Sequence, residues 1–99
     1  MDTTMDTTMD TTAFETALKA DGYADIETKS VPANVANALH SHDYAVRILM
    51  LEGELTIGRD GVAQAYRAGD TISVDAGCEH TELYGPAGGR LLVGRKRAA

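Results

Sequence analysis

From residue 24 onward, apolar residues fall in short runs bounded by Gly, Pro and Asp, the pattern of strands and turns. The stretch ADIETKSVPANVANALHSH reads as two extended pieces broken at Pro32, and YAVRILML that follows is strongly apolar. In ELTIGRDGVAQAYR the pair Asp60-Gly61 sits between two strand-like runs, a hairpin signal. AGDTISV, HTELY and RLLVGR come next, separated by DAGCE and GPAGG. Seven or eight short strands with regular turn signals predict an all-β sandwich or barrel.

Ahead of the strands, Thr12 and Glu15 have the spacing of a capping box, and Phe14, Ala17 and Leu18 share one helical face. With Gly22 as the stop, a short helix is expected from about Ala13 to Ala20. Residues 1–12 are MDTT three times over, a repeat with nothing to bury, and are expected to form a disordered leader outside a single domain spanning 13–99. The run from Ile48 to Leu51 has no polar residue on either side of its strand, so both faces must be covered. The helix and a second subunit are the candidates, and a homodimer is the expected assembly for so small a core.

Composition narrows the partners. A net charge of -6 argues against nucleic acid, whose phosphates call for a basic stripe. The one basic cluster, Arg95-Lys96-Arg97, reads as a solvated tail. No apolar segment approaches the ~20 residues of a membrane helix, and no cleavable signal is visible. The single cysteine, Cys78, cannot form an intrachain disulfide, and the expected compartment is the cytoplasm.

The chemistry lies with three histidines, His40, His42 and His80. His40 and His42 are two apart on an extended segment, so both side chains face one way and can converge on one ion. His80 opens another predicted strand after a Gly-containing turn and can complete the set. Imidazole suits zinc, copper, iron and nickel.

These residues carry a resemblance to the small single-domain cupins, jelly-roll barrels of the RmlC-like superfamily whose motifs are G(X)5HXH(X)3-4E(X)6G and G(X)5PXG(X)2H(X)3N. HSHDYAVRILMLEG resembles the first motif from His40 to Gly53, with Asn34 at its leading glycine. GDTISVDAGCEHTELY resembles the second, with Gly69, Gly77 and His80 in register, Asp75 at the proline position and Tyr84 at the asparagine position. The resemblance implies a cupin-type double-stranded β-helix barrel, preceded here by the short helix. It also implies a divalent metal, with iron, zinc, nickel, manganese and copper unresolved, on His40, His42 and His80. The motif glutamate is missing, since its position falls on Val46 or, at the longer spacing, Arg47. Some cupin oxygenases, thiol dioxygenases among them, hold iron with three histidines.

Glu82 follows His80 by two and faces the same interior if HTELY is a regular strand. It is the candidate to ligate the metal, orient its water or act as a general base. Tyr44 and Tyr84 share the histidines' parity and are candidates to bind substrate. Arg47 has the opposite parity, which favours a structural ion pair or an interface over contact with a substrate carboxylate. The function expected is therefore a metal-dependent, dioxygenase-like enzyme acting on a small molecule. A non-catalytic binding or sensing cupin is the alternative. A metal-free isomerase or epimerase is less favoured, because the HXH pair suits coordination better than proton shuttling.

Overall fold

Two long antiparallel strands carry the architecture. The computed structural model describes residues 11–97, and the elements in chain order are α1 (Thr11–Ala20), β1 (Ala24–Val31), β2 (Ala36–His40), β3 (Tyr44–Arg59), β4 (Val62–Arg67), β5 (Thr71–Val74) and β6 (His80–Arg97). β3 and β6 pair from Tyr44↔Arg97 to Gly58↔Thr81, with register shifts on either side of Gly53. Their outer ends divide the sheet into two leaves. In the first, β1 pairs with residues 89–95 of β6 and β5 with residues 46–49 of β3. In the second, β2 pairs with residues 80–83 of β6 and β4 with residues 54–59 of β3.

The leaves meet where Gly53 opposes Gly89. Gly53 has φ +79°, and a Cβ there would overlap the Gly88 carbonyl oxygen, so only glycine lets the strands cross this junction. The expected turn at GPAGG is consequently no loop, and β6 runs through it. The expectation of a closed barrel is also corrected. The sheet runs β1-β6-β3-β4, with β2 added to β6 and β5 to β3, and its end strands β1 and β4 do not pair with each other. Closure needs every strand bonded on both sides, but β3 and β6 each serve both leaves, which leaves the four shorter strands as edges. The result is an open, folded-over jelly-roll sheet with one helix among the described residues.

The core fills the space between the leaves. Ile48, Met50, Ile72, Val74, Leu91 and Val93 come from the first leaf and meet Leu55, Ile57 and Tyr84 from the second. Burying each such aliphatic side chain contributes ~1.5–3 kcal/mol. A second cluster, Leu49, Leu51 and Leu92 with Phe14 and Ile26, lies on the outer side of the first leaf. The apolar run of β3 thus points alternate residues into the core and under α1, whose Leu18 is fully buried against Gly94. The helix begins at Thr11, two residues before expectation, as helix ends often vary. The leader expected over 1–12 falls outside the described residues up to Asp10. Between β3 and β4, Asp60 (φ 54°) and Gly61 (φ 76°) form the two-residue turn, both with the positive φ of a type I′ hairpin. Among the described residues no helix is long and apolar enough to cross a membrane.

Candidate metal centre

The site forms at the open end of the cleft between the leaves, where the second leaf begins. His40 closes β2 and His80 opens β6, and the two are direct cross-strand partners. His42 lies beyond β2 in the link to β3, a link held by the Gly77 N–H donating to the His42 carbonyl at 2.8 Å. Ring centroids are 4.4 Å apart for His40 and His80, 4.8 Å for His40 and His42, and 5.7 Å for His42 and His80. One ring nitrogen from each lies within 4.8 Å of the others. Zinc–nitrogen bonds of ~2.0–2.1 Å separate tetrahedral ligands by about 3.3 Å, so a modest contraction would bring all three onto one ion.

Backbone carbonyls select the tautomers. His40 Nδ1 donates to the Ala38 carbonyl at 2.7 Å, and His80 Nδ1 donates to the Cys78 carbonyl at 3.0 Å. A carbonyl oxygen only accepts, so each Nδ1 carries a proton, and Nε2 is the nitrogen each neutral ring would offer to an ion. His80 is 2 % exposed. Burial, followed by the charges of His40 and His80, pushes the pKa of His42 below 6.5 and favours the neutral, ligating form.

Glu82 stands at this cluster. Its Oε2 is 3.3 Å from His80 Nε2 and 3.9 Å from His40 Nε2, while Oε1 accepts from Asn37 Nδ2 at 2.7 Å. A carboxylate oxygen this close to two imidazole nitrogens is favourable with a proton or a metal cation between them. The three histidine nitrogens, all within 4.8 Å of one another, fit a divalent ion, with an acidic group beside it. Val46 and Arg47, the positions of the absent motif glutamate, supply no ligand. Val46 is an apolar wall residue, and Arg47 on the opposite face of β3 pairs with Asp21 at 2.7 Å and lies 4.5 Å from the Tyr23 ring. The Asp21 hydrogen bond raises the Arg47 pKa further.

A cavity of about 250 Å³ opens beside the histidines. Tyr44 and Tyr84 both line it. Tyr44 stacks on His42 at 4.8 Å, with the Arg97 guanidinium 5.1 Å from its own ring. Tyr84 is buried, and burial aided by the Glu82 charge raises its phenol to about 12, so it remains protonated. Sequence reasoning missed three polar lining residues, Lys29, Asn37 and Arg95. Arg95 is no part of a solvated tail: it pairs with Glu27 at 2.9 Å and has the parity of Leu91 and Val93. That parity was the available signal for Arg95. Asn37 and Lys29 needed the register of β2 and β1, which the residues alone do not supply.

Comparison with known proteins agrees with this geometry. The family model described as a cupin domain matches residues 29–82. An RmlC-like cupin from Shewanella frigidimarina is 25 % identical over 74 % of this chain, with a TM-score of 0.64. A conserved protein of unknown function from Streptococcus pyogenes is 27 % identical over 75 % of this chain, with a TM-score of 0.63. This chain spans 65 % of the length of each of those two proteins. A protein of unknown function from Rhizobium leguminosarum shares the fold, with a TM-score of 0.68 at 15 % identity, over 83 % of this chain and 89 % of its own. No curated protein matches the chain.

Proposed function

The chain belongs to the cupin domain family, and from that premise we propose that it is a metal-dependent cupin enzyme, with His40, His42 and His80 holding one divalent ion and a small molecule reacting beside it. The observation that carries this reading is the approach of the three imidazole nitrogens to within 4.8 Å of one another. When bound, the ion supplies Lewis acidity and, if it is iron, oxygen chemistry.

The chain's own residues supply the rest. The Ala38 and Cys78 carbonyls hold two imidazoles in the ligating tautomer. Glu82, oriented by Asn37, takes up or returns a proton at Oε2. Tyr84 donates a hydrogen bond and, with its pKa near 12, keeps its proton at neutral pH. Val46, Ile48, Ile57 and Val74 line the cavity with apolar side chains, which strengthens each polar contact beside them. Oxygenation of a small polar substrate is the reaction class to assay first. The proposed setting is the cytoplasm. A homodimer is the proposed assembly, with Leu39 and Leu83, 60 % and 52 % exposed, as apolar surface for a second copy.

The test is metal analysis of protein made without a histidine tag in metal-supplemented medium, followed by anomalous scattering from crystals. About one ion per chain is expected, with its peak between the three imidazoles and its loss in His40→Ala. Protein that holds no stoichiometric metal overturns the reading.

A further inference from the structure

Two polar groups on the cavity wall lack a partner among the described residues. Tyr84 is only 6 % exposed and lines the cavity, yet its hydroxyl makes no hydrogen bond among the described residues. A buried hydroxyl is seldom left unpaired, so a molecule entering the cavity offers it an acceptor. The second group is Lys29. It stands opposite Leu91 in the β1–β6 register, on the inner face of the first leaf, and lines the cavity as an exposed residue. Glu27 shares that face and could have neutralised it, but Glu27 pairs with Arg95 at 2.9 Å. Lys29 has no ion-pair partner among the described residues.

Charge and shape decide what such a site accepts. With a divalent ion on the histidines, Glu82 offsets one of its charges, and the ammonium of Lys29 adds another positive charge at the mouth. The interior therefore favours an anion although the whole chain carries -6. Phosphate is commonly held by an arginine fork, a run of backbone N–H groups or a helix N-terminus. Arg95 is engaged by Glu27 and by the Asp25 carbonyl, and α1 packs on the outer side of the leaf. A volume of about 250 Å³ also lies below the ~300–1,000 Å³ of sites for drug-sized ligands. An inward lysine on an edge strand also discourages pairing with another chain, but that role does not account for the unpaired Tyr84 hydroxyl.

We propose that the cavity binds a small carboxylate, its anionic end met by Lys29 and an oxygen of the same molecule accepting a hydrogen bond from Tyr84. The assignment rests on the reading of this cavity as a metal-dependent site and gives that site a substrate class, the short-chain carboxylic acids.

The test uses the full chain loaded with zinc, and calorimetric titration with glycolate, its uncharged counterpart glycolamide, and inorganic phosphate. Glycolate is expected to bind at least about tenfold more tightly than glycolamide, as expected for a charge-assisted contact. Lys29→Met is expected to weaken glycolate about fivefold, a loss limited by the exposure of the ammonium, and to leave glycolamide unchanged. Tyr84→Phe is expected to weaken both. Zinc content, measured in parallel, should be the same in both variants. Equal affinity for glycolate and glycolamide, indifference of glycolate to Lys29→Met, or tighter binding of phosphate overturns the carboxylate assignment while leaving a bound zinc untouched. Glycolate binding that depends on Lys29 in protein unable to hold zinc supports the assignment and removes the metal reading instead.

Discussion

Glu82 sets a carboxylate oxygen 3.3 Å from His80 Nε2, two residues back on the same face of β6. The family's usual glutamate position lies across the cleft on β3 and is occupied here by Val46. An acidic group has thus reached the histidines from a different strand, and Asn37 on β2 holds it there at 2.7 Å. Replacing Glu82 by Gln keeps its shape and removes its charge. Zinc affinity, measured by competition with a chromophoric chelator, is expected to fall about 10–100-fold, the range for loss of a group that supports metal ligands. An unchanged affinity would make Glu82 a bystander.

His42 predicts a pH dependence of known sign. Burial first, and then His40 and His80, make it harder to protonate in the folded chain than at the reference value of 6.5. Below about pH 6.5 the unfolded chain binds more protons at this position than the folded one, so stability falls as pH falls; above that range the contribution disappears. In metal-free protein, the urea midpoint of His42→Gln relative to the native chain should rise below pH 6.5 and stay flat above it. A difference independent of pH would contradict this assignment.

Two glycines with similar φ should respond differently to alanine. Gly61 has φ +76° and open space where a Cβ would stand, so Gly61→Ala should cost only the left-handed conformation, about 1–2 kcal/mol. Gly53 has φ +79° and faces the Gly88 backbone, so Gly53→Ala should cost more than about 3 kcal/mol or prevent folding. Chemical denaturation of the two variants compares them directly, and equal costs would mean that the leaves separate easily at this junction.

Leu18 anchors α1, with no exposed surface and its methyl groups against Gly94. Leu18→Ala is expected to lower stability by about 2–5 kcal/mol, while zinc stoichiometry stays at one per chain because the helix packs on the side of the leaf away from the histidines. Loss of metal together with stability would show that the two sides of the leaf are coupled.

The residues with local signals were the readable ones. The helix, the break at Pro32 and the Asp60-Gly61 hairpin depend on neighbours in sequence, and all are present, the helix with its start displaced by two residues. The three histidines were readable because alternation along an extended segment and the second motif both pointed inward, and the structure brings them together. The open sheet was not readable. Gly53 and the GPAGG stretch look like chain breaks in sequence, yet they serve as the crease through which β3 and β6 continue, and only long-range pairing distinguishes the two. Arg95 was misread for a related reason: a basic cluster near the chain end resembles a tail until Glu27, 68 positions earlier, is known to lie beside it.

The central position of β6 has a consequence for how the molecule forms. It pairs with β1, β2 and β3, so most of the sheet depends on a strand that follows all the others in the chain. The β3–β4 hairpin can form from local contacts, but β1 and β2 have no strand partner until β6 arrives. Distant pairing of this kind makes for slow folding, on the order of milliseconds to seconds. Because His80 begins that strand, the third imidazole joins the other two only as the sheet assembles, so an ion bound by all three would be captured late and would report completion of the fold.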